Sequence, residues 1–337
     1  MASQVEGYSR ARRAPLCRLG AALMRQTCVN MVYELAKADD RVVFIGSDLS
    51  PGLLAGMQEQ FPDRWYMEGV SEQNVIGMAA GMALDGAIPY VNTIATFITR
   101  RCYEQVAVDL CVHDLPVRLI ANGGGLVYAP LGPTHEAIED IAIMRALPNM
   151  TVVAPADAEE MKRFMAVSVD WPHPIYIRLG KGGDRVVTRP EHGFAIGQAY
   201  LLREAEGGKS NPVLLVGTGV ATTQALQAAE MLAADGIACH VLHMPTVKPL
   251  DVAAIEKYAR ASRLVVTVEE HTVIGGLGSA VTDALVERFD GRVPRIRRIG
   301  IPDVFASDYG NQEWLMETFG LHAANIADVV RKAVGSD

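Results

Sequence analysis

Two doubly wound α/β domains in tandem are the fold this sequence predicts, and three observations predict it. From Val42 to Arg178, short apolar runs alternate with helix-length segments, the spacing of a parallel sheet with crossover helices. A glycine-rich, charged stretch then begins at Gly180-Lys-Gly-Gly-Asp-Arg185 and runs to about Gly197. Beyond it the alternation resumes. At 337 residues and 50% hydrophobic content, the chain can bury two cores. The expected division is a flexible arm over 1–15, a first domain over 16–190 and a second over 191–337.

The first domain opens with a helical pattern over 16–38, with Leu19, Ala22, Leu23 and Val29 on its apolar positions. Val42-Val-Phe-Ile-Gly46 reads as a strand followed by a loop, which puts Asp48 at the carboxyl edge of the sheet, where ligands bind in open α/β folds. Ser71 is positioned as an N-cap, and Glu72 falls in the first turn of the helix it starts. Gly77 and Gly81 share one face of that helix. Each costs about 1 kcal/mol relative to alanine, so a close approach to something is expected there. Strands follow at 89–94, 116–121, 151–154 and 174–178, with helices at 99–113, 135–147 and 157–168. Residues 122–134 form a Gly/Pro-rich loop too long for a simple connection. In the second domain, strands are expected at 213–217, 238–242, 264–269 and 295–301. Helices are expected at 221–234, 250–261 and 277–289, and two short ones close the chain.

A formal charge of −8 with no Lys/Arg stripe argues against nucleic acid as a partner. No apolar run approaches the roughly 18 residues of a membrane span. Residues 1–15 carry Arg10, Arg12 and Arg13 and lack the apolar core of a signal peptide. The five cysteines form no CxxC pair and read as reduced thiols of a cytoplasmic protein.

Several features have plain structural readings. Gly217-Thr-Gly219 has Thr222 in place of the third glycine of a dinucleotide fingerprint. Gly275-Gly-Leu-Gly278 suits a tight turn into a packed helix better than an anion site. His240 and His243 lie on one strand and point to opposite faces, which makes them a poor metal pair. His113 ends a helix, and His271 reads as a surface or interface residue. Glu72 is either a dipole-favoured helix-end acid or a buried acid presented to a ligand. Asp48, Glu72, Phe97, Arg100, Arg101, His135 and Arg178 all fall at one sheet edge, which suits a site for an anionic small molecule. No metal site is expected in this chain, and no Ser-His-Asp or Cys-His arrangement is visible.

Six pieces taken in order resemble the C-terminal half of transketolase. They are Gly46-Ser-Asp48-Leu, Gly69-Val-Ser-Glu72-Gln, Ala95-Thr-Phe97, Gly132-Pro-Thr-His135, Met144-Arg-Ala-Leu-Pro-Asn149 and Pro155-Ala-Asp157. The resemblance runs from about Leu16 onward. It implies a thiamine diphosphate pyrimidine-binding domain followed by a transketolase C-terminal domain. It also implies a cofactor set of Asp48, Glu72, Phe97 and Tyr103, with Arg100 where the family usually has a further aromatic. Glu72 matches the acid that hydrogen-bonds the aminopyrimidine ring and promotes deprotonation of the thiazolium carbon. His135 matches a histidine facing the donor sugar, and Arg25 and Arg178 match arginines that hold a substrate phosphate. Glu72 and His135 are thus the expected catalytic pair.

Two further departures lie in the sugar pocket, where Leu131 replaces an acid and Gly123 stands where a histidine is usual. The Gly-Asp-Gly…Asn motif that holds magnesium and the diphosphate has no counterpart here. The resemblance therefore implies one subunit of a split transketolase in an α2β2-type assembly, with Mg2+ held mainly by an N-terminal partner chain. The expected reaction is transfer of a two-carbon ketol unit from an anionic ketose to an aldehyde. The rival readings are a subunit like 1-deoxyxylulose-phosphate synthase or the beta chain of a 2-oxo-acid dehydrogenase, and a non-catalytic scaffold.

Overall fold

A computed structural model describes residues 23–46, 52, 54–205 and 211–335. The expected arm, the start of the first helix, Cys17 and Asp48 lie outside these residues. In the first half come α1 (Met24–Ala38), β1 (Val42–Gly46), α2 (Ala55–Gln60), β2 (Trp65–Met67), α3 (Glu72–Leu84), β3 (Ile88–Ile94), α4 (Ala95–Thr99) and α5 (Tyr103–Gln105). They are followed by β4 (Arg118–Asn122), α6 (Asp140–Ala146), β5 (Thr151–Val153), α7 (Ala158–Ser168) and β6 (Ile175–Arg178). The second half adds β7 (Tyr200–Arg203), β8 (Val213–Gly217), α8 (Ala221–Ala234), β9 (Cys239–His243), β10 (Thr246–Lys248), α9 (Val252–Arg260) and β11 (Leu264–Thr272). It ends with α10 (Leu277–Arg288), β12 (Arg295–Ile301), α11 (Gln312–Thr318) and α12 (Ala323–Val334).

Two parallel-dominated sheets result, ordered β10-β5-β6-β4-β3-β1-β2 and β12-β11-β8-β9-β7. The antiparallel members are β10 on β5 and β7 on β9. The central strands are buried on both faces, which is why they read as unbroken apolar runs. The short β2, β7 and β10 escaped the sequence reading because three or four residues carry too little periodicity. Strand β10 comes from the second half yet closes an edge of the first sheet, so the halves are not separate cores. Val152 and Tyr176 share one apolar cluster with Leu214, Val216, Leu242 and Val265.

The glycine-rich stretch after β6 is pinned rather than loose. Buried Asp157 caps α7 through the Glu160 N–H and also accepts from the Val187 and Thr188 amides, at 2.9 Å each. This anchors the linker to the first sheet.

Two predicted helices are interrupted. The stretch 99–113 is split into α4, α5 and a π-helical run, Val106–Val112. The stretch from His135 is not helical until Asp140, because Ala137 exchanges backbone hydrogen bonds with Gly125 at 2.9 and 3.0 Å. That bridge commits backbone groups that a helix would need. Gly77 and Gly81 are exposed, and an added Cβ at either would meet nothing within 4 Å. The close approach expected for them is made by none of the described residues.

Candidate active site

Topology decides where the site lies. From β1 the chain steps outward to β2, then returns to the other side of β1 as β3. The crevice at the carboxyl ends of β1, β2 and β3 is thus a topological switch point, the usual ligand position in open parallel sheets. Glu72 follows β2 and Phe97 follows β3, so residues far apart in sequence meet there.

Ser71 occupies the N-cap position of α3, but its hydroxyl donates to Glu68 O at 2.9 Å rather than capping. Glu72 is only 6% exposed, and Arg101 Nη1 donates to its Oε2 at 2.8 Å. That burial favours the presented-acid reading over a surface helix-end acid. Glu72 borders a small cavity with Gly69, Val75, Ile76, Asn92, Thr93 and Ile98. On the strands beside it, Asn122 Nδ2 donates to Asn92 Oδ1 at 2.7 Å, while Asn92 Nδ2, Asn122 Oδ1 and the nearby Thr96 Oγ1 are buried without partners. Unpaired buried polar atoms cost free energy, so a ligand that satisfied them would gain.

Phe97 packs edge-on against His135, with ring centroids 5.2 Å apart, and Tyr128 meets the same imidazole edge-on at 6.5 Å. Thr134 Oγ1 engages His135 Nδ1 at 2.9 Å and sets the ring's orientation. Arg25 is half-buried near Tyr128. Burial pushes the Tyr128 phenol's pKa upward against the opposing charge of Arg25. Arg100 is committed to partners around the His135 loop. It pairs with Glu139 and donates to the carbonyls of Pro133 and Glu136 at 3.1 and 2.7 Å, holding the His135 loop from behind. Tyr103 donates to Ile143 O at 3.1 Å.

Arg178 is turned inward. It meets Asp140 through Nε at 2.7 Å and Nη2 at 3.3 Å, and Nη2 further donates to Glu270 O and Ala137 O. Burial raises the Asp140 pKa, but the charge of Arg178, with the hydrogen bonds from Arg178 and Tyr176, outweighs it and holds the carboxyl low. His271 is fully buried, not a surface residue. The Ala142 amide donates to its Nε2, so Nδ1 carries the proton that goes to Thr272 O. The reason is neighbouring chemistry, since Asp140 and Glu269 flank the ring at 4.0 and 3.6 Å.

Glu269 also settles the Gly275–Gly278 turn. Its carboxylate accepts from the Leu277 and Gly278 amides at 2.6 and 2.8 Å, so the start of α10 already holds an internal anion. His240 and His243 have separate partners. The Ala205 amide donates to His240, whereas His243 lies between Glu160 and Thr222.

The triple glycine after β4 is explained by crowding. A Cβ on Gly124 would lie 2.5 Å from the Arg178 side chain, and one on Gly125 would lie 2.6 Å from the Glu270 carboxyl carbon. Glu270 Oε1 accepts from Leu126 N and Gln312 Nε2 at 2.8 Å each, while Oε2 is buried without a partner. Burial pushes this carboxyl up to about 7, against the pull of Arg178. The folded chain then holds a proton that the unfolded chain releases above the ordinary glutamate range. Stability from this group should therefore fall as pH rises from about 4.3 to about 7. Glu270→Gln should flatten that slope in melts across this range, and an unchanged slope would refute the shift.

Sequence reasoning passed over Glu136, Tyr128 and the pairing role of Arg101. Glu136 is 1% exposed with both carboxyl oxygens unpartnered, and burial raises its pKa against the pull of Arg100. Arg101 also lies over the Phe97 ring, with its central guanidinium carbon 4.3 Å from the ring centre, and only this contact had a usable signal, since residues four apart on a helical turn share a face.

The profile of the transketolase pyrimidine binding domain matches residues 21–183, and that of the transketolase C-terminal domain matches residues 203–326. The chain belongs to the transketolase family. The 6-deoxy-6-sulfo-D-fructose transketolase subunit SqwH of Clostridium sp. is 37% identical over 90% of this chain and 92% of its own length. An apulose-4-phosphate transketolase subunit of Phocaeicola vulgatus is 33% identical over 90% of this chain and 94% of its own. A solved split gene transketolase, an inactive β4 tetramer, is 36% identical with a TM-score of 0.84, covering 93% of this chain and 98% of that one.

Transketolase-family membership gives the three departures a structural setting. At Gly123 an added Cβ would lie 2.2 Å from the Tyr128 ring, so Tyr128 fills the space beside that position. Leu131 is exposed, and Arg100 serves the loop behind His135.

Proposed function

We propose that this chain is the C-terminal subunit of a two-chain, thiamine diphosphate-dependent transketolase that moves a two-carbon ketol unit from an anionic ketose to an aldehyde. The observation that carries the reading is a buried glutamate at the switch point, in the same crevice as Phe97 and the His135 ring packed edge-on against it. The residues fit the pyrimidine end of the cofactor. They offer an acid at a cavity rim, a half-buried aromatic ring and the unpaired side-chain amide of Asn92, which lines the same cavity. Among the described residues, no group of three His, Cys, Asp or Glu side chains could hold a metal ion. Mg2+ and the diphosphate are assigned to the partner chain, and Asp48 to the cofactor's surroundings.

When bound, the cofactor supplies the carbanion chemistry of ketol transfer. Glu72 holds a proton at the ring nitrogen of the aminopyrimidine, and Phe97 packs against that ring. Thr134 fixes the His135 imidazole toward the donor sugar's hydroxyl and reacting carbonyl. Arg25 supplies positive charge for an anionic substrate, and Tyr128 narrows the pocket beside His135. Arg100 positions the His135 loop, and Tyr103 braces α6. That the sulfofructose and apulose-phosphate relatives are themselves subunits supports partner dependence and an anionic sugar.

The test is calorimetric titration of thiamine diphosphate and Mg2+ into this chain alone and into its mixture with the partner chain. Binding only to the mixture is expected, followed by ketol transfer from sulfonated or phosphorylated ketoses. Decarboxylation of pyruvate in place of ketol transfer would favour the synthase-like rival. Absence of binding to the authentic pair would favour the scaffold.

A further inference from the structure

The Arg101 guanidinium does two things at once. Its Nη1 donates to buried Glu72 Oε2 at 2.8 Å, and its central carbon lies 4.3 Å from the centre of the Phe97 ring. A planar cation with an N–H aimed at an acid, lying over an aromatic ring, offers the same contacts as a protonated aminopyrimidine. The proposed function needs the ring to hydrogen-bond Glu72 while packing on Phe97. That places it between the two side chains that Arg101 now bridges.

Resting on that reading, we infer that Arg101 is an internal placeholder for the cofactor's aminopyrimidine, a positioning residue that must leave Glu72 and Phe97 as the cofactor enters. The covalent structure permits the exchange. Arg101 is four residues after Phe97 on a continuous helical turn, with Arg100 also in helical conformation, so the two side chains meet on one face. Its side chain is 42% exposed, whereas that of Glu72 is 6% exposed. The arginine head can therefore rotate into water while its stem stays packed, which the acid cannot do. In the cofactor-free chain Arg101 gives Glu72 a charge partner and covers an aromatic face. Both contacts are surrendered on loading, so Arg101 competes with the cofactor and weakens its apparent affinity.

The test is the thiamine diphosphate dissociation constant, with Mg2+ present, of the chain reconstituted with its partner subunit. Arg101→Gln should bind about five- to tenfold more tightly than wild type, the effect of removing a competing contact of this kind. Arg101→Lys keeps the charge, loses the planar fork and should fall between them. Glu72→Gln should bind more weakly. Tightening is the decisive sign, because a merely structural arginine would weaken binding when removed. Unchanged or weaker binding by Arg101→Gln, beside a wild-type complex that binds normally, would overturn the placeholder and leave the proposed function intact. Should Arg101→Gln not assemble, the lysine variant decides by the same sign. A wild-type complex that does not bind thiamine diphosphate would overturn both.

Discussion

Glu72→Ala in the assembled complex should lower turnover by about two to four orders of magnitude, the range for losing a positioned acid–base group. Assembly should survive. The carboxyl is 6% exposed and its one described hydrogen-bond partner is Arg101, whose side chain is 42% exposed. With the acid gone, that guanidinium can rehydrate, so the free chain should change stability by no more than about 1 kcal/mol. The signature is a large loss of kcat with an unshifted melting temperature and normal co-purification of the partner. Glu72→Gln, which keeps the shape, should lose nearly as much. Activity above a tenth of wild type in either variant would sink the assignment of Glu72 to proton handling.

Arg178→Ala should unfold or strongly destabilise the chain, by about 3–5 kcal/mol, because it strands a buried carboxylate. Asp140 is 1% exposed, and besides Arg178 its carboxylate accepts from Tyr176 Oη at 2.7 Å. The guanidinium also ties Ala137 O to Glu270 O, so it joins the His135 loop to the end of β11. This differs from the phosphate-holding role that the resemblance implies. The two roles separate experimentally. Structural use predicts a lower melting temperature in Arg178→Ala and Arg178→Lys, with strong non-additivity toward Asp140→Asn. Phosphate holding predicts a normal melting temperature and a raised KM confined to phosphorylated substrates. The linkage sign is also fixed. Asp140 is held low in the fold, so its contribution is present above the ordinary aspartate pKa and lost as pH falls through the depressed value.

Much of the fold was legible because the long strands are buried on both faces and the crossovers are helix-length. Val42–Gly46, Val213–Gly217 and the first five residues of β11, 264–268, announce themselves as apolar runs, whereas the end of β11 is polar and was read only to Glu269. The same local pattern placed Glu72 at a helix start and His135 after a long loop. It could not show that β10 crosses to the first sheet. Nor could it show that Ala137 bridges to Gly125 and delays a helix, since both are pairings between distant segments.

The alternation of strands and helices, with the carboxyl-end rule, predicted that acids, a histidine, an aromatic ring and arginines gather at one sheet edge. Strand order came only from the fold, which sets β2 and β3 on either side of β1 and brings β10 to the first sheet. Only the tertiary structure decided which groups face the crevice. Arg100, Arg101 and Arg178 look interchangeable in sequence, yet one braces a loop, one covers Glu72 and one is sealed inside with Asp140. Burial separates them. A guanidinium removed from water must find carboxylates or carbonyls in fixed directions, and those partners come from parts of the chain that only packing brings together.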